Sequence, residues 1–199
     1  MDLCAIGGQF YERGWVLGTS GNFSAVLSTE PLRLAITASS LHKGILSPKD
    51  ILEVDEHGRV VSGKAQPSAE TLLHVEIVRA RGAGAVLHTH SVWSTILSDV
   101  HAADGGLAIS GYEMLKGLDG VRTHEHREWI PIVPNDQDMP RLAQEVRRTL
   151  DRDTTSHAFL LHRHGLYTWG QTLPDARRHV EILEFLFETV ARRRGMGHG

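Results

Sequence analysis

Residues 83–97, AGAVLHTHSVWSTIL, constrain the fold more than any other stretch. The apolar segment AVLHTH follows a glycine and leads into SVWSTILSD, which has helix-like spacing, so it reads as a buried strand ahead of a helix. Successive strand side chains point to opposite faces, so His88 and His90 emerge together, with Cα atoms roughly 6.6–6.8 Å apart. Two imidazoles placed side by side near a core must be satisfied. Each has found a hydrogen-bond partner, or a metal ion takes a lone pair from both. These residues alone leave the two alternatives level.

The neighbouring pattern places that strand in a mixed α and β chain. NFSAVLS and LRLAITASS read as strands joined through STEPL, and ILEVD and RVVSG flank a turn at 56–58, a succession typical of antiparallel sheet. QPSAETLLHVEIVRARG reads as a helix with Ser68 as N-cap and Gly82 as its stop. LCAIGGQFYERGW predicts an opening helix, GYEMLKGL a short helical piece and REWIPIVP a strand. MPRLAQEVRRTL carries Leu142, Val146 and Leu150 on one helical face. HAFLLHRHGLYTWG predicts two strands about a glycine turn, and the last helix shows an apolar stripe of Ala176, Val180, Leu183, Phe187 and Val190. Without repeat, linker or low-complexity segment, the expectation is one α/β domain over residues 1–199.

A net charge of -3 gives no reason to expect nucleic acid or an anionic membrane as partner. No apolar run approaches the ~20 residues of a membrane helix, and the N-terminus lacks the basic start and long apolar core of a signal peptide. The single cysteine, Cys4, cannot form an internal disulfide and suits a reducing compartment, so a cytoplasmic location is expected.

A catalytic zinc site takes three protein ligands and keeps one position open. Among the 13 histidines, two further His-x-His pairs could supply the third. His124 and His126 sit among Arg122, Glu125, Arg127 and Glu128, which suggests a solvated edge with a structural or surface role. His162 and His164, in an apolar strand ending at Gly165, are the better source, and the choice between them stays open. The loops GTSGN and TASSLHKG contain no P-loop pattern, but small hydroxyl-rich turns can offer N–H donors to a phosphate. Glu70 falls in the first turn of its helix, where the dipole favours an acid. Glu113, between Tyr112 and Met114, is either exposed on one face of its helical piece or held in a pocket.

Taken together, the helix beginning PSAE and the segments GTSGNFSAVL, GAGAVLHTHS, GYEMLKGL, IPIVPN and RHGLYTWG resemble the class II aldolase family. They span most of the chain, and GYEMLKGL with RHGLYTWG points to a branch that dehydrates a methylthio-substituted ketopentose 1-phosphate in methionine salvage. The resemblance implies a three-layer α/β/α fold with a largely antiparallel central sheet. It implies one Zn2+ per subunit on His88, His90 and His164, and phosphate binding by Asn22, Ser39, Ser40 and Lys43. It also implies Glu113 as catalytic acid–base with Glu70 in support, a phosphorylated sugar as substrate, and a homotetramer. Where the family usually has glycine this chain has Ser40, which could lose a positive φ or add a hydroxyl donor. A sugar-phosphate aldolase or 4-epimerase, and a non-catalytic zinc-bound interaction protein, are the competing expectations.

Overall fold

The computed structural model describes residues 2–196; the expected span of 1–199 includes Met1 and residues 197–199, which lie outside the described residues. The helix α1 (Leu3–Glu12) starts at Asp2, whose side chain accepts from the Ala5 N–H. Four strands follow as a meander: β1 (Asn22–Thr29), β2 (Leu32–Thr37), β3 (Ile51–Asp55) and β4 (Val60–Ser62). Next come α2 (Thr71–Arg81), β5 (Ala85–Thr89), α3 (Val92–Val100), β6 (Gly106–Ile109) and β7 (Glu128–Val133). The chain continues with α4 (Met139–Arg152), β8 (Ala158–Leu161), β9 (Gly165–Gly170) and α5 (Leu173–Met196).

The nine strands form one sheet in the order β4-β3-β2-β1-β5-β9-β8-β7-β6. Every neighbouring pair is antiparallel except β7 with β8. Alternation along the strands divides the core into two. Val86, Phe159, Leu161, Tyr167 and Trp169 face the layer that contains α2 and α4. Ala85, Leu87, Ala158, Leu160 and Leu166 face the layer of α1, α3 and α5. Side chains such as Val86 and Phe159 are fully buried, each worth about 1.5–3 kcal/mol of apolar transfer. The expected three-layer arrangement with a largely antiparallel sheet is what the chain adopts.

Three local expectations are corrected. The helix α2 begins at Thr71, not directly after Ser68. Ser68 closes the preceding turn instead: its hydroxyl accepts from the Glu70 N–H at 3.2 Å, and its carbonyl accepts from the Thr71 hydroxyl at 2.7 Å. His162 and His164 do not lie on a strand, because β8 ends at Leu161 and β9 starts at Gly165. Between the two histidines Arg163 has φ 54°, a left-handed turn that breaks strand periodicity and sends the two side chains different ways. Glu128 is not at a solvated edge. It is 1 % exposed, bonded to His126 at 2.7 Å and to His157 at 3.0 Å.

Candidate metal centre

The middle of the sheet builds the site. β5 lies between β1 and β9, so its register places His88 opposite Asn22 on one side and Tyr167 on the other. His88 stacks on the Tyr167 ring, centroids 3.9 Å apart and planes 12° from parallel, and Tyr167 stacks in turn on Phe159. His90 leaves the end of the same strand. His164 arrives from the β8–β9 turn, where a Cβ on Gly165 would lie 2.0 Å from the Thr89 carbonyl, so only glycine lets that turn close on β5. Gly21 plays the matching role on the other side, with φ 75° and no room for a Cβ, which would lie 2.8 Å from the His88 carbonyl.

The three imidazoles converge. The His90 Nε2 lies 2.8 Å from the His88 Nε2 and 3.2 Å from the His164 Nε2, and the three ligand atoms all fall within 4.8 Å of one another. His88 donates from Nδ1 to the Leu166 carbonyl at 2.8 Å, which leaves the lone pair on Nε2, facing its neighbours. Burial, followed by the adjacent imidazoles, pushes His88 and His90 far below the ordinary histidine range and keeps them neutral. The His164 Nδ1 is buried without a hydrogen-bond partner among the described residues. Three converging imidazole nitrogens, one of them fixed by a carbonyl behind it, are a donor set that suits a zinc ion. The residues present therefore fit the expected ion. His162 is excluded from this convergence, since its Nε2 is bonded to Asp99 at 3.2 Å.

Glu70 stands beside the cluster, Oε1 3.2 Å from the His164 Nε2 and Oε2 3.5 Å from the His88 Nε2. Its Oε2 accepts from the Asn22 amide at 2.6 Å. A cavity of about 190 Å³ is lined by Glu70, His90 and His164 together with Thr19, Ser20, Asn22, Ser39 and Ser40. The expected phosphate loops and the expected metal ligands thus share one space. Ser40 takes φ 58° despite not being glycine, so the turn keeps its shape and gains a hydroxyl. Lys43 lies behind the wall, 1 % exposed, its ammonium donating to the Thr19 and Leu41 carbonyls at 3.1 and 2.8 Å. Burial lowers it to about 8, and it ties the two loops together.

Glu113 is not brought to the histidines within this chain. It starts a short 3-10 helix, its side chain is 71 % exposed, and it pairs with Lys116 at 2.5 Å and His124 at 3.8 Å. Lys116 holds its carboxyl below the usual range.

The sequence reading missed three site neighbours. Tyr167 carries His88. His74 lies one helical turn after Glu70, a spacing that puts both on one face of α2. Glu184, in α5, accepts from the Thr89 hydroxyl at 2.8 Å, and burial raises it to about 7. A lone acid beside Leu183 and Phe187 in an apolar stripe was the available signal.

The chain matches the family described as Class II Aldolase and Adducin N-terminal domain over residues 1–191. It is 49% identical to a methylthioribulose-1-phosphate dehydratase of Methylococcus capsulatus, over 95% of this chain and 91% of that protein. It is 46% identical to a protein of the same name from Marinobacter nauticus, over 91% and 87%. Among solved structures, YgbL of Escherichia coli superposes with a TM-score of 0.79 at 29% identity, covering 94% of this chain and 86% of its own. An L-fuculose 1-phosphate aldolase gives 0.80 at 23% identity, over 98% and 85%. By sequence across nearly its whole length, and by fold, this chain belongs to the class II aldolase and adducin N-terminal domain family.

Proposed function

We propose that this protein dehydrates 5-methylthioribulose 1-phosphate to 2,3-diketo-5-methylthiopentyl 1-phosphate in methionine salvage, with one zinc ion held by His88, His90 and His164. The chain is an enzyme, a lyase. The observation that carries the reading is the shared cavity, lined by His90 and His164 of the three converging imidazoles and by two hydroxyl-rich loops. When bound, zinc supplies Lewis acidity at the C2 carbonyl oxygen and so acidifies the C3 proton. Ser39, Ser40 and the Asn22 loop bind the phosphate, with the Lys43 charge behind them, and fix C3 and C4 relative to the site. Glu113 removes the C3 proton and returns a proton to the C4 hydroxyl, which leaves as water; the enol then tautomerises to the diketone.

Glu113 reaches substrate in this scheme only across a subunit contact, so the proposal includes a homotetramer. Val92, Ile96 and Val100 support it, since they recur along one face of α3 next to the site and stay 43–60 % exposed in the single chain. The reading extends to one domain over 1–199 in the cytoplasm; no described helix is long and apolar enough to cross a membrane. A second reading has a specific observation behind it. Glu70, not Glu113, touches the histidine cluster, which favours Glu70 as acid–base group and an aldolase-like division of labour.

The test is to add zinc-loaded protein to 5-methylthioribulose 1-phosphate and, separately, to fuculose 1-phosphate, and identify the products. The diketone from the first and nothing from the second is expected; cleavage of the second sinks the dehydratase reading. Light scattering should report four chains, and a monomer at micromolar concentration removes the route for Glu113. Glu113→Gln should lower kcat by ~10²–10⁴-fold with zinc content unchanged. A Glu113→Gln enzyme within about threefold of wild type, beside a nearly dead Glu70→Gln, assigns the acid–base role to Glu70.

A further inference from the structure

A chain of buried polar groups runs behind Glu70. Ser24 on β1 and His74 on α2 are both 0 % exposed. The Ser24 hydroxyl lies 2.7 Å from the His74 Nδ1. On the far side of the ring, the His74 Nε2 bonds the Asn22 Oδ1. The Asn22 amide nitrogen then donates to the Glu70 Oε2 at 2.6 Å and to the Ser68 hydroxyl at 3.3 Å. We propose that His74 is a positioning residue that, through Asn22, fixes which oxygen of Glu70 is held and which is turned toward His164. This rests on the reading of Glu70 as a working carboxylate of the site.

With Glu70 as a carboxylate, one arrangement of protons satisfies the chain. Burial lowers His74 to about 4, so the ring is neutral and carries a single N–H. With the proton on Nε2, Ser24 donates to Nδ1, Nε2 donates to the Asn22 oxygen, and the amide nitrogen is left to donate to Glu70. With the proton on Nδ1, the bare Nε2 faces the Asn22 oxygen, two acceptors in contact. Turning the amide over relieves that clash but sets its oxygen against the Glu70 Oε2, again two acceptors. In a buried site each such mismatch is costly, so the tautomer of His74 and the orientation of Asn22 are locked together. The lock occupies the Glu70 Oε2 and leaves Oε1, 3.2 Å from the His164 Nε2, as the oxygen free for proton transfer. A group pre-aimed in this way does not need to reorganise during the reaction.

Two measurements test this. In zinc-free protein labelled with 15N-histidine, the resonances that disappear on His74→Gln should show a neutral ring with its proton on Nε2. An imidazolium, or the Nδ1–H tautomer, overturns the proposal without any assay of activity. In the zinc-loaded enzyme, His74→Leu removes the donor while filling the space. It should lower kcat by ~10–100-fold, the range of outer-shell changes, with KM and zinc affinity (by chelator competition) within about threefold. His74→Gln, whose amide can still donate to Asn22, should recover most of the loss. Should His74→Leu fail to fold, Ser24→Ala gives a smaller loss in the same direction with a mixed tautomer population. In a Glu70→Gln background, His74→Leu should cost less than about twofold more, because its effect passes through Glu70. Losses that multiply mean that His74 serves only packing, and the proposal fails. A Glu70→Gln enzyme with wild-type kcat overturns the underlying reading of Glu70, a failure that the tautomer measurement does not share.

Discussion

The molecule holds two buried clusters of histidine and glutamate, and they are wired in opposite ways. At the sheet centre, His88, His90 and His164 turn their Nε2 atoms toward one another. At the far side of the sheet, Glu128 sits between His126 and His157, and every imidazole of that second cluster has a partner of its own. His157 bonds the Glu128 carboxylate through Nδ1 and the Asp119 carbonyl through Nε2. His179 donates to the Trp169 carbonyl and accepts from the Asp119 N–H. Burial acts against charge in both places, and in the second the ion pair wins: Glu128 ends below its usual range and His157 above. In the first, burial outweighs the Leu166 carbonyl at His88 and the Glu70 carboxylate at His90, and both rings stay neutral. Histidines whose lone pairs converge could share a cation; histidines that converge on a carboxylate have already found their charge.

The comparison breaks most severely at His88. His88→Ala should leave zinc content near zero by elemental analysis and lose more activity than the ~10–100-fold typical of outer-shell changes, while far-UV circular dichroism stays that of wild type. Full zinc occupancy in that variant removes the assignment of the ligands. The matching change in the other cluster should do the reverse. Glu128→Gln strips the counter-charge from a buried imidazolium, and breaking such a pair costs about 3–5 kcal/mol. Urea unfolding should show that loss, with zinc content untouched.

The smallest effect is a dependence on pH. His157 is raised from 6.5, so its contribution is full below that value and is lost as pH rises through the folded-state pKa. Glu128 is lowered from 4.5, so its contribution is present above that value and is lost as pH falls through its own folded pKa. The pair is strongest between these limits. His157→Gln should therefore destabilise more at pH 6 than at pH 9. An equal cost at both, measured by urea unfolding, means that packing and not charge holds this cluster.

Much of this was legible in the chain itself. The apolar run between a glycine and a helix located β5, strand alternation put His88 and His90 on one face, and turn residues located the meander of β1 to β4. The reading stopped where conformation departs from a regular period. Arg163 at φ 54° separates His162 from His164, and no periodicity shows that. Glu128 looked solvated because its neighbours in sequence are charged, whereas its neighbours in space are two imidazoles and a strand. His74 passed as one more helical residue, since its partners, Ser24 and Asn22, lie on a strand roughly 50 residues away. The phosphate loops carried too little pattern to be separated from ordinary turns, and only their common cavity with the histidines distinguishes them.

The central position of β5 also sets the order in which the chain can fold. The β1–β4 meander pairs strands that are consecutive in sequence and forms from comparatively local contacts. β5 must find β9 across a long separation: 78 residues divide His88 from the Leu166 carbonyl that it bonds. Closing such a loop costs entropy before any contact repays it, so long-range strand pairing is the slow event. His90 and His164, 74 residues apart, cannot meet until it is complete. A metal held by these residues would bind after the rate-limiting step, and its binding should slow unfolding while leaving the rate of refolding unchanged.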